Sequence, residues 1–326
     1  MTQPLAVVRT PDERFADLPG WRWEPSYAEV EAGDGSGPLR MAFVDAGPAD
    51  GPTVLLLHGQ PTWSFLYRHV IDLLVAGGAR VVAPDNIGFG RSDKPVSPYD
   101  YTLARHVGWT RSLVAALDLR EVTLVCQDWG GPIGLSALAA DPDRYAAVVA
   151  ANTILHTASP DLAGRLTWAV HGQGDSRVVL EEWLVDYLLH TQRAPRLRAS
   201  DFVAGGTTVR PSREVLAAYD APFPTEQHSA GLRQMTALLP LTRNDVGAAL
   251  CRETMAFLGE WERPFLTCYS DGDPATRGWE QVFRDHVPGA AGLPHRVLEG
   301  AGHFLQEDAG PELARNVLDL LGRAVA

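Results

Sequence analysis

The sequence predicts an α/β protein built on a mostly parallel, doubly wound sheet that is interrupted by a helical insertion. Three observations predict it. Continuous apolar runs at residues 53–58, 80–83, 122–126, 146–151 and 265–269 suit strands buried on both faces. Helical stretches at 65–76, 102–117 and 132–140 lie between most of them, as strand–helix alternation requires. The alternation then fails from about residue 155 to 245, where amphipathic pieces such as 177–189 and 213–219 are separated by Gly205-Gly206 and Ala221-Pro222-Phe223-Pro224.

Taken in order, residues 1–25 read as an irregular arm that Trp21 and Trp23 anchor. Segments 27–31 and 39–45 alternate like half-buried strands around a glycine-rich turn at 33–37. After the insertion the α/β pattern resumes with run 265–269, a short strand at 295–298 and a last helix at 312–320. The expected organisation is a core made of residues 1–154 and 246–326, with a helical cap at 155–245. No internal repeat or low-complexity segment appears.

With 326 residues, 45% of them apolar, the chain can fill a large core. Forty acidic against 28 basic residues give a net charge of -12 without any long basic run, which argues against nucleic acid and anionic membranes as partners. Ordinary solubility is a sufficient reason for the charge. Cys126, Cys251 and Cys268 are too few for a disulfide framework, so a reducing compartment is expected. The first residues lack a basic segment followed by a long apolar stretch; the expectation is a cytoplasmic protein with neither signal peptide nor membrane span.

The chemistry centres on Cys126-Gln127-Asp128-Trp129-Gly130-Gly131, between a buried strand and a helix. A reactive side chain on such a turn is the nucleophile elbow of the α/β-hydrolase fold. An aspartate there can attack carbon and form an ester. It can equally cap the following helix. Two loops favour attack. His303, in the glycine-rich run 299–306 before the last helix, takes the position of the fold's histidine. Asp273, directly before Pro274 in the loop after 265–269, supplies the acid, and Asp271 reads as a turn residue that caps backbone. The other site for an acid, after 146–151, holds the neutral Asn152.

The loop after 53–57 supplies half of an oxyanion hole, so the backbone N–H groups of Gln60 and Trp129 should converge on the carboxylate. The loop 84–95 reads as a structural turn, and His58 and His286 as packing or surface residues. No His/Cys/Glu cluster has metal-ligand spacing, so neither metal nor cofactor is expected.

These pieces resemble the haloalkane dehalogenases of the α/β-hydrolase superfamily. The matching runs are HGQPTWSFLYR at 58–68, QDWGG at 127–131, APFP at 221–224 and GHFLQE at 302–307. The resemblance extends from about residue 8 to the C-terminus, and Asp273 places the chain with members that use an Asp-His-Asp triad and a Trp-Trp halide site. It implies that Asp128 displaces a halide, that Trp129 and a cap tryptophan receive it, and that His303 with Asp273 activates the water that hydrolyses the ester. Trp183 is the preferred cap tryptophan and Trp168 the alternative. The implied partners are a small apolar halogenated substrate, water and halide ion; a monomer is expected. Gln60 departs from the Glu or Asn common in relatives, and 155–180 matches poorly. Two rival readings are an epoxide hydrolase, for which Tyr187 or Tyr219 would protonate the epoxide oxygen, and a non-catalytic ligand-binding protein on the same fold.

Overall fold

The computed structural model describes residues 4–158 and 182–324, and the Trp183 side chain lies outside that description. In chain order the strands are β1 (Val7–Val8), β2 (Ser26–Val30), β3 (Leu39–Ala46), β4 (Thr53–Leu57), β5 (Arg80–Pro84), β6 (Lys94–Pro95), β7 (Val122–Asp128), β8 (Tyr145–Thr153), β9 (Phe265–Ser270) and β10 (Arg296–Leu298). Eight of them form one sheet in the order β10-β9-β8-β7-β4-β5-β3-β2. The β2–β3 and β3–β5 pairs are antiparallel and the remaining pairs parallel.

The continuous apolar runs follow from burial on both faces. Leu55, Leu57, Leu124, Cys126, Val148 and Ala150 face one apolar layer, whereas Val54, Leu56, Val125, Val149 and Ala151 face the other. The first layer holds residues of α2 (Leu103–Ala116), α3 (Gly130–Ala140) and α8 (Val246–Leu258); the second holds those of α1 (Arg68–Ala76) and α10 (Leu305–Ala324). Each leucine or valine buried this way contributes roughly 1.5–3 kcal/mol.

Between β8 and α8 lie four described helices: α4 (Glu182–Arg193), α5 (Ala199–Gly206), α6 (Arg213–Asp220) and α7 (Ala230–Ala237). No strand occurs between β8 and β9 among the described residues. The expected piece 177–189 is described only from Glu182, and Gly205-Gly206 closes α5. The insertion is tied down by buried polar contacts. Trp63 Nε1 donates to Ala218 O at 3.1 Å, and Glu307 accepts both a bidentate pair of bonds from Arg68 and one from the Tyr219 hydroxyl. The arm is more regular than expected, with β1 paired to β6 and a 3-10 turn at Asp12–Phe15, while Trp21 anchors it by meeting Trp63 edge-on at 5.4 Å.

Several expected boundaries shift. Residues 65–76 are a 3-10 turn (Ser64–Tyr67) followed by α1, rather than one helix. Helix α3 begins at Gly130 instead of residue 132, with Gly130 and Gly131 packed too closely on Leu57 and Thr153 for a side chain. Helix α10 spans Leu305–Ala324 rather than 312–320 and breaks at Ala309, where Pro311 disfavours regular helix. The helices α5, α7, α8 and α9 (Trp279–His286) escape the sequence reading. Such short segments gain their helicity mainly from the packing of one face. Among the described residues no helix is long and apolar enough to cross a membrane.

Candidate active site

Strand β7 ends at Asp128, whose φ of 51° is left-handed. A side-chain-bearing residue there stores roughly 1–3 kcal/mol of strain, which surrounding contacts must hold. They do so from two sides. Thr153 Oγ1 donates to Asp128 O at 2.6 Å, and the following backbone is squeezed against the sheet. A Cβ on Gly130 would lie 2.2 Å from Leu57 O, and one on Gly131 would lie 1.7 Å from Thr153 Oγ1. The turn therefore needs both glycines, and it lifts the Asp128 side chain above the carboxyl end of the sheet.

The carboxylate meets two groups. Its Oδ1 accepts the Gln60 backbone N–H at 2.7 Å, and its Oδ2 lies 3.5 Å from His303 Nε2. The second expected donor behaves differently: Trp129 N–H makes no hydrogen bond to the carboxylate among the described residues.

His303 is held on every side. Nδ1 is 3.0 Å from Asp273 Oδ2. Asp273 is 1% exposed and also accepts from Ala275 N–H at 2.8 Å and Thr276 Oγ1 at 2.5 Å. Burial by itself would push the Asp273 carboxyl up, but His303 beside it and these donors hold it below the ordinary carboxylate value. Burial likewise opposes charge on His303, yet the Asp273 and Asp128 carboxylates outweigh it and raise the imidazole above its ordinary value.

The histidine loop has further supports that sequence reasoning missed. Asn152 Nδ2 donates to Gly302 O and His303 O, both at 3.0 Å. Asn152 was legible as a neutral residue at the other acid position; its use as a clamp was not. Gln127 Nε2 lies 3.2 Å from both His303 Nε2 and His303 O. Asp308 Oδ2 accepts Gly302 N–H at 2.8 Å, and Phe304 N–H donates to Gly206 O at 3.1 Å. Asp271 caps backbone as expected, though across to Gly300 N–H at 2.8 Å in the neighbouring loop.

Gln60 is buried, and its carboxamide is engaged at both ends. Oε1 accepts the Tyr187 hydroxyl at 2.5 Å, and Nε2 donates to Leu232 O at 3.3 Å. A glutamate here could accept from Tyr187 but could not donate to a carbonyl. Gln60 thus joins the strand β4 loop to α4 and α7.

The loop after β5 is structural. Asp85 Oδ1 accepts Ser64 N–H at 2.9 Å, and Asn86 bonds both His58 O and His58 Nε2 at 2.9 Å. His58 is fully buried, and that burial lowers its pKa; His286 contacts Met255 O from the surface.

Asp128, Trp129 and His303 line one cavity of about 480 Å³, together with Pro61, Ile154, Leu184, Phe202, Leu239 and Phe304. Apolar walls around a few convergent polar groups suit a small organic substrate. Trp183 belongs to α4, one turn before Tyr187; its side chain lies outside the described residues, as does all of Trp168.

A mostly parallel sheet in this order, with an aspartate on the strand–helix elbow and a histidine and second carboxylate behind it, defines an α/β-hydrolase. A family model described as "alpha/beta hydrolase fold" matches residues 52–178. Relatives narrow the class. A haloalkane dehalogenase of Psychrobacter cryohalolentis is 41% identical over 97% of this chain and 98% of its own length. One of Mycobacterium marinum is 44% identical over 96% of this chain and 99% of its own. The solved tetrameric structure of haloalkane dehalogenase DpaA from Paraglaciecola agarilytica superposes with a TM-score of 0.82 at 31% identity, covering 95% and 97% of the two chains. The chain belongs to the haloalkane dehalogenase family.

Proposed function

We propose that the protein hydrolyses carbon–halogen bonds of small haloalkanes to alcohol, halide and a proton, through an alkyl ester on Asp128. The observation that carries this reading is the row Asp273–His303–Asp128, with Gln60 N–H on the attacking carboxylate, at the floor of a largely apolar cavity.

An oxygen of Asp128 attacks the carbon in line with the departing chloride, bromide or iodide. The new C–O bond takes the oxygen's electron pair, and the halide leaves with that of the broken bond. Trp129, with Trp183 on α4, receives the anion through indole N–H groups; a hydrogen bond to a charged group is worth roughly 1.5–3 kcal/mol. The apolar walls leave the carboxylate poorly solvated and more reactive. In the second half, His303 Nε2 takes a proton from water while the water oxygen bonds to the ester carbonyl carbon, and the Gln60 backbone N–H steadies the resulting oxyanion. Collapse releases the alcohol, which takes its proton back from His303, and the carboxylate re-forms with loss of one proton.

Esterification also prepares the base. While ionised, Asp128 favours the charged imidazole; as an ester it no longer does, so His303 shifts toward its neutral form when a base is required.

The epoxide hydrolase reading needs a tyrosine free to protonate an epoxide oxygen. The Tyr187 hydroxyl donates to Gln60 and the Tyr219 hydroxyl to Glu307, so neither candidate favours it. The test is replacement of His303 by Phe or Gln. Attack should survive and ester hydrolysis fail, so a bromoalkane should leave a covalent alkyl adduct on the peptide that contains Asp128, read by mass spectrometry. Normal turnover, or no adduct with any bromoalkane, overturns the mechanism.

The same reading treats residues 155–245 as a cap over the core formed by 1–154 and 246–326, and the protein as a cytoplasmic monomer that detoxifies haloalkanes without cofactor or metal. Sedimentation at the mass of a single chain supports the monomer; a tetramer, as in the Paraglaciecola structure, overturns it.

A further inference from the structure

Gln127 precedes the nucleophile and is fully buried at the end of β7, yet nothing in the reaction above uses it. Its carboxamide nitrogen lies 3.2 Å from two atoms of one residue, the His303 carbonyl oxygen and His303 Nε2. The carbonyl can only accept, so the end of the amide facing it must be the NH2. When the ring is neutral, the other amide hydrogen is placed to meet the lone pair of Nε2, with Nδ1 carrying the proton toward Asp273 Oδ2, 3.0 Å away. The other end of the amide, Gln127 Oε1, is buried without a hydrogen-bond partner among the described residues. Buried polar atoms seldom lack partners, so the amide is held in this orientation by what its nitrogen does.

We propose that Gln127 is a positioning residue for the base, holding His303 with Nε2 as acceptor and so in the form that takes a proton from water. Two side chains thus compete for one ring nitrogen. Asp128 Oδ2, at 3.5 Å, favours a proton on Nε2, and Gln127 opposes it. Once Asp128 is alkylated its charge is gone, and Gln127 is left to hold Nε2 unprotonated during ester hydrolysis.

The other charged groups around the ring leave this competition local. Asp273, on the loop after β9, holds Nδ1 in both half-reactions. From α10, Glu307 is paired with Arg68, and Asp308 is turned to the N–H groups of Gly302, Thr208 and Val209. Asp201 of α5 lies at the exposed end of the cavity.

The inference rests on the dehalogenase reading for its consequence, though its structural core can be tested without turnover. In an Asp128→Asn protein, whose neutral side chain stands in for the ester, nitrogen NMR of the His303 ring should show the proton on Nδ1. Adding Gln127→Glu should raise the imidazole pKa by about one unit or more, since a carboxylate favours the charged ring. Gln127→Met, which removes the donor at similar size, should raise it less. In otherwise wild-type protein, rapid-quench mass spectrometry with a bromoalkane should find ester formation in Gln127→Glu within about threefold of wild type, and ester hydrolysis slowed about tenfold or more with its midpoint moved to higher pH. An unchanged ring titration in both Gln127 variants overturns the inference. So does an equal loss in both half-reactions, the mark of a packing role. Failure of the wild type to release bromide would instead overturn the dehalogenase reading, and the ring titration would still decide on Gln127.

Discussion

At Asp128 the backbone is held left-handed, the side chain accepts a backbone N–H, and a histidine stands within reach of its second oxygen. Each of these depends on a neighbour that is itself fixed. His303 is oriented by Asp273, and Asp273 by Ala275 N–H and Thr276. Replacing Asp273 with Asn keeps the shape but removes the charge and offers a donor to Nδ1, which favours the wrong tautomer. Ester hydrolysis should fall by about two orders of magnitude or more, while ester formation continues. The remaining activity should show its acid limb at lower pH, because loss of the Asp273 charge lowers the His303 pKa. Rapid-quench kinetics across pH reads both effects; wild-type hydrolysis in the variant would remove Asp273 from the mechanism.

At the scale of elements, the helices over the cavity are fastened to the site by a few polar contacts. Tyr187 on α4 bonds Gln60, whose own backbone N–H bonds Asp128. Tyr187→Phe should cost about 1 kcal/mol of stability, seen in denaturant unfolding, and should weaken halide binding by tryptophan quenching more than it slows ester formation. Asp308 fastens the segment after α5 to the histidine loop by accepting the N–H groups of Thr208, Val209 and Gly302. Asp308→Ala removes the shared acceptor, so a loss of about 1 kcal/mol is expected, with faster hydrogen exchange at residues 206–209 and 300–304. Protection unchanged at both segments would show that Asp308 does not couple them.

For the whole molecule, the buried pair of Asp273 and His303 predicts how stability follows pH. Asp273 titrates lower in the folded chain than in the unfolded one, so its contribution is present above the ordinary carboxylate range and is lost as pH falls through the lowered folded value. His303 titrates higher when folded; its contribution is full below the ordinary imidazole value and is lost as pH rises through the raised one. The thermal midpoint should therefore decline toward both limits, and Asp273→Asn should flatten both limbs. A wild-type profile in that variant would place the pH dependence elsewhere in the chain.

Much of this architecture was legible in the chain because its strands are buried on both faces. Such strands must be continuously apolar, so β4, β5, β7, β8 and β9 stood out and were misplaced only at their ends. The short helices α5, α7, α8 and α9 left no comparable mark, since one packed face suffices to hold each. The start of α3 was misread because glycine signals a break locally, whereas here it permits contact with Leu57 and Thr153.

The sequence alone singled out Asp128, His303 and Asp273 as candidates, since each follows a strand and the fold gathers strand ends at one edge. It could not say what the two glutamines do. Gln60 meets α4 and α7, and Gln127 meets the histidine loop, across long stretches of chain. Which end of a carboxamide faces which atom is a matter of ångströms and bond directions, and these exist only once the layers have packed.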